Sequence, residues 1–492
     1  MSLSSVQARR ERASSTTGRG TPAPAVVAAA CLGFFLITLD VSIVNVALPT
    51  IGERLGADVT GLQWIVDGYA LPFAGLLLSA GAVTDRIGAN RAFVAGLAGF
   101  TLASAACGLA PSAGALIAAR VVQGCAAALM LPASLSLVRR SSDSAVGRAR
   151  AVAVWTAAGG AAAAAGPVVG GVLTDTLGWR AVFAVNVPLG ILALAVLRGG
   201  PRSPRRPSPL DLAGQATSVL AVGAVVLAVI EAGAHGVATP AVGVAGAVAV
   251  GAGAAFVVAE RRSAHPAVPL GMFRAPTVAI TTAVGFALNL GFYGMVFVLT
   301  LFVQTQRGAS PLATGLMFLP MTGLVAGVNL LAGHLTTRFG PRPPLVAGQI
   351  VMAGGFVALL GVGPATPTAL LLLAMVPLGI GGGLAAPPLT AALLEAVPAD
   401  RSGLASGVLN AARQLGGALG VALFGALTVG AAGFVDGMHL SVTIGALVLA
   451  ATSIAATALP RHLGRSGPRT EVRHVSATRP VVGAGNQPEE RR

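Results

Sequence analysis

Long apolar stretches alternate with short charged or Gly/Pro-rich segments along almost the whole chain. Most are about 18–25 residues long, which is the length that an α-helix needs to cross a hydrocarbon core of about 30 Å. The pattern predicts fourteen membrane-spanning helices, at 25–48, 61–83, 91–110, 113–138, 150–173, 180–198, 212–232, 239–259, 277–303, 312–335, 343–363, 367–392, 403–430 and 438–459. The predicted fold class is therefore all-α and polytopic.

Composition supports a membrane protein and excludes several other classes. Only 10% of the residues are charged, against about 25% in soluble proteins, and the mean hydropathy is +0.81. All 32 basic residues are arginine. A chain without lysine has neither a Walker A loop nor a Schiff-base lysine. We see no nucleophile–base pair or metal-ligand cluster, so we expect no enzyme activity, no metal and no cofactor.

The distribution of arginine predicts the orientation of the helices. With both termini in the cytoplasm, 27 arginines lie in inner segments and 3 (Arg54, Arg180 and Arg307) lie in outer loops. This asymmetry follows the positive-inside rule. The net charge of +15 therefore reflects membrane topology, and we expect no nucleic-acid partner. The predicted location is the cytoplasmic membrane.

A weak internal repeat divides the chain into halves. The pattern G-x-x-x-[DT]-R-x-G occurs at 81–88 and again at 333–340. Repeated halves with a site at their interface are typical of transporters. The predicted domains are a disordered tail (1–22), a first six-helix half (23–198), a linker with two inserted helices (199–262), a second six-helix half (263–460) and a second disordered tail (461–492).

Three ionisable residues fall inside predicted spans of the first half. Asp40 lies late in helix 1, Asp67 lies near the outer end of helix 2, and Arg120 lies in helix 4. An ionisable group at that depth usually faces a bundle interior or a water-filled path. From the helical rise, Asp40 and Arg120 lie at similar depths, so an ion pair between them is feasible. Arg120 as a structural strut, and Asp67 as an interfacial acid, remain as alternatives.

Four motifs together resemble the major facilitator superfamily, and most closely its fourteen-helix drug:proton antiporter branch. The resemblance covers about residues 25–460. The helix 2–3 loop carries Gly81, Asp85, Arg86, Gly88 and Arg91. In the family this motif forms a charge lock that breaks during the conformational change. The resemblance implies two six-helix halves plus two inserted helices.

The other motifs lie in helices 1, 4 and 5. Helix 1 matches the family around Asp40 and Asn45, and the family's helix 4 arginine, Arg120 here, is assigned to proton coupling. An acid at Asp67 matches a position linked in the branch to protons or cationic substrates. Helix 5 contains the small-residue pattern that marks exporters in the family, formed here by Gly159, Gly166, Pro167, Gly170 and Gly171. Generic close packing of small residues is the alternative.

The resemblance implies proton-coupled export of amphipathic small molecules such as drugs or antibiotics. The expected partners are the bilayer, the substrate and protons, with a proton gradient as the energy source and a monomer as the working unit. The expected cavity residues are Asn45, Gln123, Asn289, Phe292, Tyr293 and Arg413. A proton symporter that imports a metabolite and a membrane sensor without transport remain as alternatives.

Overall fold

The computed structural model describes residues 23–142, 144–197, 211–398, 401–430 and 433–460. The predicted tails and the proline-containing segment 198–210 lie outside the described residues. The α-helices are α1 (Ala23–Leu55), α2 (Val59–Ile87), α3 (Ala89–Leu109), α4 (Ala113–Arg139), α5 (Ala145–Leu177), α6 (Ala181–Ala184), α7 (Asn186–Val196), α8 (Leu212–His235), α9 (Pro240–Arg262), α10 (Pro276–Leu301), α11 (Pro311–Phe339), α12 (Arg342–Leu359), α13 (Thr368–Glu395), α14 (Ser402–Gly430) and α15 (Phe434–Ala456).

The architecture confirms the all-α polytopic prediction. Thirteen helices of the described chain are long and apolar enough to cross a membrane. The predicted sixth span is instead two short helices, α6 and α7, which meet at Val185. Pro188 explains this break, because proline lacks the N–H that would bond to the carbonyl of Ala184. A π-helical turn, Phe302–Gln306, extends α10.

The two predicted inserted helices, α8 and α9, lie at the side of the bundle. Helix α8 packs against α2, α14 and α9. Its Gln215 donates a hydrogen bond to the Gly75 carbonyl and accepts one from Ser79, both on α2. Gly75 leaves room for Val219 of α8. The insertion is therefore fastened to α2, the helix that also carries Asp67.

The internal repeat corresponds to two equivalent helix ends. Gly88 ends α2 with φ +93°, and Gly340 ends α11 with φ +80°. Glycine adopts positive φ at little cost, whereas other residues are strained there. Each glycine N–H bonds back to a threonine carbonyl, at 3.0 Å (Thr84) and 2.9 Å (Thr336). The two sequence repeats therefore build the same corner between consecutive helices.

Hydrogen bonds join the two halves toward one end of the bundle, which we call the arginine-poor end because its loops hold Arg54, Arg180 and Arg307. These bonds run from Gln63 Nε2 to the carbonyls of Val421 (3.2 Å) and Ala422 (2.7 Å), from Gln304 Nε2 to the Val46 carbonyl (2.8 Å), from Leu312 N–H to Asp175 Oδ2 (3.1 Å) and, nearer mid-depth, from Thr322 Oγ1 to the Ala164 carbonyl (3.3 Å). At the opposite, arginine-rich end, Asp85, Arg86 and Arg91 are exposed.

Glycines bring α5 and α11 into backbone contact. A Cβ built at Gly171 would lie 2.6 Å from the Pro311 carbonyl oxygen and 2.7 Å from Leu312 Cα. Gly315 of α11 similarly lies against the backbone at Pro167. Helices approach this closely only where side chains are absent. Closure of the arginine-poor end therefore depends on these small residues.

We expect Gly171→Ala to push the halves apart at the arginine-poor end, because its methyl group would meet backbone that cannot rotate away. Gly160→Ala is the matched control on the same helix, since a Cβ there meets nothing within 4 Å. Distances between spin labels on the two halves at this end should lengthen in the first variant only. Equal distance distributions in the two variants would contradict the packing argument.

Candidate functional site

A buried ion pair lies inside the first half. Asp40 of α1 is 0% exposed and Arg120 of α4 is 1% exposed. Arg120 Nη1 lies 2.5 Å from Asp40 Oδ2. Charges are tolerated at such depth only when they are paired and hydrogen-bonded. The structure thus brings together the two residues whose predicted depths agreed.

Two side-chain amides complete the coordination of the Asp40 carboxylate. Oδ1 accepts hydrogen bonds from Gln123 Nε2 at 2.9 Å and from Asn186 Nδ2 at 3.0 Å. Gln123 Oε1 in turn accepts a bond from Arg120 Nη1 at 2.8 Å. The carboxylate therefore receives three donors, two from α4 and one from α7, and such charge-assisted hydrogen bonds are among the stronger ones in proteins.

The Arg120 guanidinium is held by further contacts. Its Nε donates to the Ile65 carbonyl at 3.1 Å, and its Cζ lies 4.2 Å from the centroid of the Tyr69 ring. A cation over an aromatic face is attracted by the ring quadrupole. Gly124 lets α4 approach α2, since a Cβ there would lie 2.9 Å from Pro72 Cγ. Arg120 of α4 thus contacts both α1 and α2.

Asn186 and its hydrogen-bond partner Ser104 were not predicted from the sequence. Asn186 Nδ2 also lies 3.0 Å from Ser104 Oγ, and that hydroxyl donates to the Phe183 carbonyl at 2.9 Å. Both side chains are 0% exposed. The available signal was an amide within an apolar stretch, two residues before Pro188. The helix break that this proline causes places Asn186 at the first position of α7, next to Asp40.

A cavity lies at the centre of the bundle, between the two halves. It is bounded by one side of α1, α2 and α4 and by α10 and α14 of the second half. Its lining comprises Val41, Val44, Asn45, Val66, Tyr69, Ala70, Phe73, Arg120, Tyr293, Gln414, Gly417, Ala418 and Val421. In this conformation the cavity is small, about 40 Å³, and its wall is mainly apolar with a few polar groups.

The predicted cavity residues are distributed over three environments. Asn45 and Tyr293 line the cavity, whereas Gln123 is buried in the Asp40 network. Asn289, Phe292 and Arg413 are outside the lining. The Asn289 side chain donates to the Gly285 carbonyl of its own helix at 3.0 Å, and the Phe292 ring packs edge-on against Tyr293, with centroids 5.5 Å apart.

Asp67 is buried away from the Asp40 network. It is 0% exposed, and neither carboxylate oxygen has a hydrogen-bond partner among the described residues. Gln63, one turn earlier on α2, bonds to α14. Trp64 and Leu71, on the neighbouring strip of α2, pack in one cluster with residues of α8 and α14. Helical periodicity therefore places Asp67 at the junction of α2, α8 and α14.

The exporter-type glycines of α5 face α1 as well as α11. A Cβ at Gly159 would lie 2.7 Å from Phe34 Cδ1, one at Gly166 would lie 3.2 Å from Ser42 Oγ, and one at Gly170 would lie 2.7 Å from the Ile43 carbonyl oxygen. Helix α5 thus contacts the Asp40-bearing helix with one face and α11 with another over the same stretch of its length. It links the charged network to the contact between the halves.

We expect Asp40→Asn to lower the free energy of unfolding by about 3–5 kcal/mol, because it leaves a buried arginine that cannot lose its proton. Arg120→Gln should cost less, since an unpaired carboxylate can bind a proton. Thermal unfolding in detergent measures both variants. The double variant should lose less than the sum of the single losses, and simple additivity would contradict a direct pair.

Among the described residues, no group of three or more His, Cys, Asp or Glu could hold a metal ion. Comparisons with known proteins place the bundle in a family. Residues 30–421 match the family model described as Major Facilitator Superfamily. The fold is similar to that of a D-xylose–proton symporter, with a TM-score of 0.65 at 16% identity, covering 89% of this chain and 98% of that one.

Three relatives of known name share more of the sequence. The chain is 36% identical to a methylenomycin A resistance protein of Streptomyces coelicolor (83% of this chain, 86% of that protein). It is 38% identical to the multidrug resistance protein Stp of Mycobacterium tuberculosis (80% and 74%). It is 35% identical to a tetracenomycin C resistance and export protein of Streptomyces glaucescens (83% and 76%). These matches confirm the resemblance, and the chain is a multi-pass membrane protein that belongs to the Major Facilitator Superfamily.

Proposed function

We propose that the protein exports amphipathic small molecules, drugs or antibiotics, across the cytoplasmic membrane in exchange for protons. The observation that carries this proposal is the Asp40–Arg120 pair, buried beside a cavity between two helical halves. The named relatives include antibiotic resistance and export proteins, which supports export as the direction. Transport follows from alternating access, in which the halves close first at one end of the cavity and then at the other.

In this proposal the conformation described here is one in which the outer side is closed. We place the arginine-rich end in the cytoplasm, following the positive-inside rule. The hydrogen bonds between the halves then close the outer side, through Gln63, Gln304 and Asp175. The motif of Gly81, Asp85, Arg86, Gly88 and Arg91 lies at the inner end. Asp85 and Arg86 are exposed and form no ion pair with a described residue, so the charge lock is open in this state.

Asp40 couples protons to this cycle through its three donors. While the carboxylate is ionised, it holds Arg120, Gln123 and Asn186 together. Binding of a proton removes the charge that attracts them and frees Arg120 toward the cavity that it lines. Helix α5 packs against this part of α1 and against α11, so it transmits the resulting shift to the outer contact. One charge that crosses 100 mV supplies about 2.3 kcal/mol.

Asp67 is the second proton site of the proposal. An ionised carboxylate without a partner is costly in the bilayer interior, so Asp67 holds a proton while the outer side is closed. Opening of the α2–α14 contact would expose it to outside water, where the proton exchanges. The cycle needs no cofactor, and one chain holds all the groups that it uses.

We expect Asp40→Asn to abolish substrate efflux driven by a pH gradient, because the side chain no longer exchanges a proton. Exchange of substrate at equal concentrations, without a gradient, should continue and shows that the variant is folded. Asp58→Asn is the matched control. Asp58 is exposed and caps α2 by accepting the Gly61 N–H at 2.8 Å, and asparagine preserves that cap. Full gradient-driven efflux by the Asp40 variant in inverted membrane vesicles would refute the proposal.

Asp67→Asn should lower the number of protons moved per substrate while transport itself persists, because asparagine imitates the protonated acid. The membrane potential at which substrate flux reverses reports this ratio in proteoliposomes. An unchanged ratio would assign Asp67 a purely structural role and leave Asp40 as the coupling residue.

A further inference from the structure

We infer that the exported molecule carries a negative charge, and that Arg413 recognises it. This inference rests on the proposed export function and adds the substrate class. It comes from the balance of charges around the cavity, in which one arginine is uncompensated and no carboxylate is presented.

Arg413 is a cation inside the transmembrane bundle. It lies eleven residues after Ser402, the first residue of α14, which is about 16 Å of helical rise. The side chain is half-buried, and it makes no ion pair or hydrogen bond with any described residue. A charged group at that depth is expensive unless it serves a site. We therefore expect Arg413 to pair with an anionic ligand that binds in the cavity.

Arg413 lies beside residues of α10 and α14 that line the cavity. Its stem lies against α10, where a Cβ at Gly285 would be 3.2 Å from Arg413 Cγ. Tyr293 of α10, which lines the cavity, packs against α14 one turn after Arg413, since a Cβ at Gly417 would be 3.1 Å from Tyr293 Cδ2. On its own helix, the next residue Gln414 and Gly417, one turn later, also line the cavity. An anion in the cavity is thus within the reach of a flexible arginine.

The second half offers Arg413 no counter-ion. Its described acidic residues are Glu395, the last residue of α13, and Asp436, near the start of α15. Both lie at helix ends rather than at the depth of the cavity. An anionic ligand would therefore supply the charge that the protein itself leaves out, in the bidentate geometry that arginine prefers for carboxylates.

The first half presents no competing carboxylate. Arg120 lines the cavity, and its charge is matched by Asp40, which lies behind it and outside the lining. Asp67 is fully buried and also outside the lining. Tyr69 contributes a hydroxyl that has no partner among the described residues and can donate to an anionic oxygen. A cationic substrate would find no carboxylate in the lining, and Arg413, next to the lining residue Gln414, would oppose its charge.

The charge of the substrate changes how the membrane potential drives exchange. An anion that leaves the cell and a proton that enters both move positive charge inward. Exchange of two protons, one for each proposed proton site, for one monovalent anion therefore moves three positive charges inward per cycle, against one for a monovalent cation. An inside-negative potential should drive export even when no pH gradient is present.

The purified full-length protein in proteoliposomes tests the inference with two dyes that share a xanthene ring system, anionic fluorescein and cationic rhodamine 123. We expect potential-driven movement of fluorescein in preference to rhodamine 123. Arg413→Gln should slow fluorescein transport about tenfold or more, as the loss of a charge-assisted hydrogen bond predicts, and Arg413→Lys should restore most of it. Arg261→Gln, at an exposed position on α9, is the control that should behave as the unmodified protein.

The outcomes separate the inference from the function on which it rests. Preferred transport of rhodamine 123, or an equal loss of both dyes in Arg413→Gln, would overturn the anion assignment and leave proton-coupled export standing. Movement of neither dye under a potential or a pH gradient would overturn the proposed export function itself.

Discussion

The cost of placing charge in a bilayer determines how the first half of this protein is built. Asp40 and Arg120 are stable there because their opposite charges pair and because both carboxylate oxygens, Arg120 Nε and Arg120 Nη1 have hydrogen-bond partners. Gln123 and Asn186 satisfy the carboxylate, and the Ile65 carbonyl and the Tyr69 ring satisfy the guanidinium. These contacts draw α1, α2, α4 and α7 together. The network therefore supports the first half, and in the proposed cycle a proton on Asp40 changes the balance of forces within it.

Small residues couple a movement of this network to a movement of the neighbouring helices. The glycines of α5 remove side chains on two faces of one helix, so that α1 and α11 both touch its backbone. A shift of α1 by a fraction of an ångström cannot be absorbed by rotation of a side chain there. It must instead move α5 against α11, where the halves meet. Packed interfaces of this kind have few stable arrangements, which suits a switch between two conformations.

The sequence alone allowed the helical architecture, the close approach of Asp40 to Arg120 and the family to be predicted, because span length, charge depth and motif spacing each reflect the bilayer. It did not allow Asn186 to be identified, since its role depends on a helix break at Val185 that a hydropathy pattern smooths over. Asn289, Phe292 and Arg413 do not line the cavity in this conformation, and their part in the substrate cavity stays a prediction, because the rotation of α10 and α14 decides which residues face inward. Helix rotation is set by packing between helices and leaves little trace in overall hydropathy.

The two halves contain different ionisable residues at depth, although their turns at Gly88 and Gly340 are equivalent. The described part of the first half contains the acids Asp40 and Asp67 at depth, and the second half contains at depth Arg413, which has no ion pair with a described residue. Protons and substrate therefore need not compete for one residue. Coupling must instead pass between the halves, through the contacts of Gln63 and Gln304 with opposing backbone carbonyls and through the glycines of α5 and α11. Asp67 lies one turn from Gln63, so in the proposed cycle its protonation state and the closure of the Gln63 contact are linked. Proton binding in the first half can thereby change how the second half binds substrate.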